Sequence, residues 1–231
     1  MAESKLVIDV VDNGGQWTHR EWRMLRYLGV DTQIIENTTP VNELRDLDGL
    51  ILSGGAARIG LSGELGNCAE FLELKIPILG ICAGHQFMAR HYGGDARESP
   101  QPEFGAMVIN LVNGGGAIFA NTADSQTVWE SHNDEVHVLP EGFVITASSE
   151  SCNIQGMEND AGDRFGLQFH PEVNDSEFGK EMFANFVEVC KKTTFQHPVL
   201  GPSLTYSEGF NFRRTSEHVP CLLYTSDAAD E

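Results

Sequence analysis

IPILGICAGHQ, residues 76–86, decides how the chain is read. Its first half is a short apolar run of the kind that forms a strand buried on both faces. Its second half opens a helical pattern, continued in HQFMARHYGG (85–94), that stops on two glycines. Cys82 sits at the junction, between Gly80 and Gly84. A strand delivering one reactive side chain to a tight, glycine-flanked turn before a helix has the geometry of a nucleophile elbow. The helix N-terminus then points unsatisfied N–H groups and its positive dipole end at the sulfur, which lowers a thiol pKa and offers donors to an oxyanion. The plainer reading stays open here, because most cysteines are small core residues.

Working outward, the first ninety residues alternate strand and helix signals. LVIDVVD (6–12) is a buried-strand pattern closed by the turn residues Asn13, Gly14 and Gly15. Trp17, Trp22, Leu25 and Leu28 mark a helix face ended by Gly29. TQII (32–35) and GLILSGG (49–55) are strands, and residues 64–74 carry Leu65, Cys68, Phe71 and Leu72 at helical spacing. This alternation implies an α/β fold with a parallel sheet covered on both faces. The nucleophile would then lie at the carboxyl edge of the sheet, where such sheets bind ligands.

After Gly94 the texture changes to short strands and turns. AMVINLV (106–112), TVWES (127–131), EVHVL (135–139), FVITAS (143–148) and FGLQFH (165–170) read as strands, and GGG (114–116) as a turn in a hairpin-like excursion. SEFGKEMFANFVEVC (176–190) closes the pattern with an amphipathic helix. Beyond Lys192 there is no sustained periodicity. The last residues, CLLYTSDAADE, resemble peptides translated from sequencing-adapter DNA, so residues 193–231 are set apart as an irregular tail, part or all of it suspected of not being native sequence. The folded domain is expected over residues 1–192.

Composition excludes several classes. The 231 residues carry 15 Lys and Arg against 34 Asp and Glu, a formal charge of −19. That balance argues against nucleic-acid binding, which neutralises phosphates with basic residues. The acidity is spread along the chain, so it suits either a salty cytoplasm or a well-solvated surface. No stretch approaches the roughly 18–20 apolar residues that span a bilayer, and MAESKLVIDV lacks signal-peptide anatomy. A cytoplasmic protein that does not engage membranes is expected. The five cysteines form no CxxC pair, so neither a disulfide framework nor a zinc knuckle is suggested.

A thiolate nucleophile needs a base, and the base an orienter. FGLQFHPEV (165–173) offers both: His170 and Glu172 are two apart, so an extended segment projects them to one side, and Pro171 stiffens the unit. Alone, an H-P-E tripeptide reads as a solvated loop; with the elbow it completes a Cys82, His170, Glu172 triad. His132, Asp134, Glu135 and His137 fit no zinc spacing, and no metal is expected.

Together GICAGHQ (80–86) and QFHPEV (168–173) resemble the class I, triad-type glutamine amidotransferases over about residues 5–192, with Ala83 where that family has a larger aliphatic residue. The resemblance implies a flavodoxin-like, open and mostly parallel sheet with helices on both faces and a small antiparallel excursion. It implies Cys82 as the nucleophile on the carboxamide of L-glutamine, His170 as general base and Glu172 as its orienter. An oxyanion hole is implied from the Ala83 N–H and the Gly54-Gly55 strand end, where Ala56 replaces a usual proline. Gln86, Ser131, His132 and Asn133 are implied at the substrate's amino-acid end. VDNGGQWTHR (11–20), NTTP (37–40) and WESHNDEVHVLPEGF (129–143) further resemble the separate glutaminase subunits of archaeal-type GMP synthetases. The implied partner is an ATP pyrophosphatase subunit that uses Mg-ATP, this chain needing no cofactor of its own. Glutaminases serving anthranilate or carbamoyl-phosphate synthesis, or a stand-alone γ-glutamyl hydrolase, are the alternatives.

Overall fold

The computed structural model describes residues 5–196. Within them, alternation along each early strand sorts side chains to two faces. In β1 (Ile8–Asn13), Ile8 and Val10 enter one core and Val11 the other. In β3 (Gly49–Gly55), Ile51 enters the first and Leu50 and Leu52 the second; in β4 (Ile78–Ile81), Leu79 and Ile81 face Ile78 across the sheet. This is the period of two of an extended chain, and because both faces are apolar both need a cover. Helices α1 (Thr18–Tyr27) and α4 (Gly179–Gln196) cover the first with Leu25, Met182, Phe183 and Phe186. Helices α2 (Cys68–Leu72) and α3 (Ala83–His91) cover the second with Phe71 and Met88.

The described residues form a nine-stranded sheet in the order β2-β1-β3-β4-β9-β8-β7-β5-β6. β2 (Ile34–Glu36), β1, β3, β4 and β9 (Arg164–Leu167) run parallel. β8 (Gly156–Asn159), β7 (Phe143–Ser148), β5 (Asp95–Leu111) and β6 (Ser125–Val138) continue the sheet with antiparallel pairings. The chain leaves β1 to one side for β2 and to the other for β3. The carboxyl ends of β1 and β3 therefore flank a topological switch point, where open α/β sheets keep their ligand crevice.

Several boundaries differ from the sequence expectations, each for a tertiary reason. The strands expected over 127–131 and 135–139 are parts of one strand, β6, which ends at Val138, because its polar middle, Ser131–Glu135, is paired along β5. β5 starts at Asp95 rather than Ala106; its polar, proline-containing first half is held by β6, with the register broken between Glu98 and Glu103. β8 carried no apolar alternation to announce it. The helix expected over 64–74 shrinks to α2, because Asn67 N–H donates to Asn37 O at 2.7 Å and its side chain to Thr38 O at 2.9 Å, docking the segment onto the NTT turn instead. Helix α4 continues to Gln196, four residues past Lys192. The rest of the expected tail, 197–231, lies outside the described residues. No helix among those described is long and apolar enough to cross a membrane.

Candidate active site

Cys82 follows β4 directly and caps α3 with φ +49°, a left-handed conformation that a side chain rarely adopts. The turn is held from both ends. Cys82 N–H donates to Leu167 O of β9 at 2.8 Å, and Gln86 N–H donates to Cys82 O at 3.0 Å, the first turn of α3. The Ala83 N–H is thus one of the helix-initial donors with no intrahelical acceptor. Cys82 is 6% exposed, and its Sγ lies 3.9 Å from Ser131 O. Burial distinguishes the other described cysteines: it pushes the Cys68 thiol up to about 12, and the Cys152 and Cys190 thiols up as well. Those three are core residues, which leaves Cys82 as the thiol lining a cavity.

His170 and Glu172 reach Cys82 from the loop that follows β9. His170 N–H donates to Trp129 O of β6 at 2.9 Å, and its own carbonyl accepts from the Ser176 hydroxyl at 2.7 Å, so the backbone is fixed on both sides. The ring is fixed too: Nδ1 lies 2.7 Å from Glu172 Oε1, and Trp17 packs edge-on with ring centroids 4.4 Å apart. With Nδ1 bonded to the carboxylate, Nε2 is the nitrogen left to serve the thiol. Burial works against the imidazolium here. The charge of Glu172, the hydrogen bonds with Cys82 and Glu172, and the charge of Cys82 outweigh it and hold the His170 pKa well above its ordinary value.

The walls come from the neighbouring strand ends. Asn13 at the end of β1 locks onto β3: its N–H donates to Ser53 Oγ at 3.1 Å and its side-chain amide to Ser53 O at 2.8 Å. The Asn13-Gly14-Gly15 and Ser53-Gly54-Gly55 strand ends then lie side by side, so close that a Cβ on Gly15 would sit 2.4 Å from Gly54 O. Gly54, Gly55 and Ala83 line the same cavity of about 370 Å³ as the triad, and so do Gln86, Ser131, His132 and Asn133. All seven residues expected around the substrate therefore converge. The Gln86 amide nitrogen is already committed, donating to Asp134 O at 2.6 Å and to Gln168 Oε1 at 3.1 Å.

Beneath that wall lies a buried polar cluster. His132 Nδ1 is 3.0 Å from Asp134 O, so that nitrogen carries a proton; Nε2 is 2.9 Å from Glu103 Oε2. Glu103 also accepts from Ser149, Ser151 and Gln155. Burial raises the Glu103 carboxyl, but the bonds from His132, Ser151 and Ser149 outweigh it and hold it below its usual range. Glu130 is the reverse case: neither oxygen has a hydrogen-bond partner, and burial, reinforced by the Glu103 charge, raises it well above the carboxylate range. Glu103, Glu130 and His132 have metal-ligand proximity. Within that group His132 Nε2 bonds Glu103 directly, and hydroxyl donors fill the other Glu103 oxygen.

Sequence reasoning missed three contributors. Trp17 was read as a helix-face residue, yet its ring packs edge-on against His170. Arg58, beyond Ala56, ties the loop after β3 to β6: Nε and Nη2 lie 2.9 and 2.6 Å from Asp134 Oδ1, and Gly60 N–H donates to Asp134 Oδ2 at 3.0 Å. Glu21, on α1, lines the cavity although it is 1% exposed. A charged residue at an inward position of an amphipathic helix was the available signal for Glu21. Nothing local marked the other two.

A left-handed cysteine at a strand–helix junction, a histidine–carboxylate pair and two glycine-ended strands thus line one cavity. The family model described as glutamine amidotransferase class-I matches residues 9–190, and the chain belongs to that family. Among its relatives, the glutamine-hydrolyzing GMP synthase subunit of Thermoplasma acidophilum is 44% identical over 200 residues, covering 83% of this chain and 100% of the relative. The protein of the same name from Haloquadratum walsbyi is 43% identical over 185 residues, covering 80% and 98%. A crystal structure from T. acidophilum, described as that of a candidate GMP synthase subunit, superposes with a TM-score of 0.78 at 43% identity, covering 84% of this chain and 98% of that one. A glutamine amidotransferase from Thermotoga maritima shares the fold at 22% identity, with a TM-score of 0.62, covering 82% and 86%.

Proposed function

We propose that this chain is the glutaminase subunit of a two-subunit GMP synthetase, with Cys82, His170 and Glu172 as its catalytic residues. The observation that carries the chemistry is their meeting in one cavity at the sheet's carboxyl edge, with His170 Nδ1 2.7 Å from Glu172. His170 Nε2 takes the Cys82 proton as the sulfur attacks the carboxamide carbon of L-glutamine. The oxyanion that forms is met by the Ala83 N–H and the Gly54-Gly55 strand end. Collapse breaks the C–N bond, and His170 returns the proton to the departing nitrogen, releasing ammonia and leaving a glutamyl thioester. Water then attacks the thioester, His170 takes its proton and delivers it to the sulfur, and glutamate leaves. Glu172 holds the imidazole tautomer and offsets its charge throughout. Gln86 and the Ser131–Asn133 segment hold the amino-acid end of glutamine.

The relatives' names support the pathway assignment. In it, XMP is activated with Mg-ATP by a separate ATP pyrophosphatase subunit, which consumes the ammonia, and this chain needs no cofactor of its own. The test is glutamate release by the full chain, alone and with that partner, XMP and Mg-ATP, with Cys82→Ala as control. Release that the partner stimulates and Cys82→Ala abolishes is expected. Cys82-dependent release indifferent to the partner would remove the GMP assignment, and release that survives Cys82→Ala would remove the triad.

A further inference from the structure

Helix α1 carries a carboxyl that the triad mechanism leaves unused. Glu21 sits between Arg20 and Trp22 but turns inward, 1% exposed, into the cavity that holds Cys82, His170 and Glu172. The helix is anchored there by Thr18, whose hydroxyl reaches Asp12 Oδ1 at 3.1 Å and Gly15 O at 3.3 Å. Glu21 Oε2 is buried with no hydrogen-bond partner among the described residues, and so is Glu172 Oε2. Two buried carboxyl groups thus share one cavity, each with a bare oxygen. Two such groups do not both ionise cheaply at close quarters, and one proton between them satisfies both oxygens.

We infer that Glu21 is a positioning residue for the triad: a neutral carboxylic acid that donates its proton to the unpartnered oxygen of Glu172, directly or across one water, and thereby holds Glu172 against His170. The inference rests on the triad assignment above. Electrostatics supports it. Burial raises the Glu21 carboxyl well above its usual range and the Glu172 charge adds to this, while His170 and the Gly54 amide pull the other way and Asp12 pushes it up. The titratable groups facing Glu21 are therefore Glu172 and His170 from the loop after β9 and Asp12 from the end of β1. Arg20 and Arg23 of the same helix, with Lys180 of α4, line a separate cavity on the far side of Glu172. Were Glu21 ionised, a second anion beside the imidazole would hold its proton harder and weaken it as a base.

The experiment compares Glu21→Leu and Glu21→Gln in the full chain with its synthetase partner, following kcat and kcat/KM for glutamate release against pH. Leucine keeps the volume and removes the donor, so kcat should fall about tenfold, the worth of one hydrogen bond to a buried charge, with KM little changed. The bare Glu172 then concentrates its charge on His170, so the acidic limb of kcat/KM should move to higher pH. Glutamine is neutral and retains a donor, so it should recover most of the lost rate with the acidic limb unmoved. In the infrared spectrum of the unmutated protein near neutral pH, a protonated-carboxyl band that Glu21→Gln removes is expected. Wild-type behaviour in Glu21→Leu would overturn the inference. So would a downward move of the acidic limb in Glu21→Gln, which would mean that an anion had been lost, or absence of the band. The band needs no activity, so it decides the matter even if Glu21→Leu does not fold. Activity surviving Cys82→Ala in the same assay would instead sink the triad and leave the band untouched.

Discussion

Gly54 separates the fold's demands from those of the chemistry, and Gly54→Ala measures the difference. Its φ lies outside the left-handed region, so alanine meets no backbone strain there. An added methyl would instead sit 2.9 Å from His170 Cε1 and 3.5 Å from Cys82 Cβ. An ordinary carbon–carbon contact requires the imidazole to retreat by about 0.6 Å. The ring has little freedom to do so, with Trp17 on one side at 4.4 Å and Glu172 bonded at 2.7 Å. A 1 Å misplacement of a reacting group costs roughly a hundredfold in rate, so a shift of this size should cost on the order of tenfold in kcat. Overpacking at one methyl costs about 1–3 kcal/mol, a fall of a few degrees in Tm for a domain this size. Glutamate release with the partner present, alongside a melting curve, reads both. Full kcat in a folded Gly54→Ala protein would refute the reasoning, because it would mean that the active imidazole does not stand where Gly54 meets it.

Other perturbations follow from the same contacts. Glu172→Gln removes the charge that most raises the His170 pKa, so the acidic limb of kcat/KM should move to lower pH while kcat falls on the order of a hundredfold or more. In the wild type, the raised His170 pKa contributes stability that is full below the unfolded value of about 6.5 and is lost as pH climbs through the folded value; urea midpoints should show that contribution vanish in Glu172→Gln. Glu130 has the same sign from a lower pH onward: its raised native carboxyl holds a proton that the unfolded chain sheds near pH 4.3, so stability falls above that by up to about 1.4 kcal/mol per pH unit until the native carboxyl ionises. Glu130→Gln should flatten that slope, leaving the part due to Glu21, and an unchanged slope would place Glu130 ionised. Arg58→Ala should release the loop after β3 from Asp134, raising KM for glutamine several-fold and speeding amide exchange over residues 59–63; an unchanged KM would mean the loop is held without it.

Local pattern made much of the site legible. GICAGHQ announced both the strand and the turn, because the small residues around Cys82 are what its close packing demands: a Cβ on Gly84 would fall 2.2 Å from Leu52 O, a backbone atom that cannot step aside. HPE placed His170 and Glu172 within reach of one another because two residues of extended chain do so by themselves. The longest strands were the least legible. DARESPQPE, the start of β5, has neither apolar alternation nor β-favouring residues, and is a strand because β6 pairs with it.

The sequence by itself determined the α/β alternation, the strand–helix junction that carries Cys82 and the pairing of His170 with Glu172, since each depends on periodicity or on residues close along the chain. Tertiary structure alone decided what surrounds them. Trp17, Glu21, Arg58 and Glu103 act on residues 29 to 153 positions away, and their local surroundings look like ordinary helix, loop and edge strand. Burial raises the Glu21 and Glu130 carboxyls well above the range of solvated acids, and burial is a property of the packed chain. A charge's neighbours, rather than its residue type, set its protonation state, and only the fold assembles those neighbours.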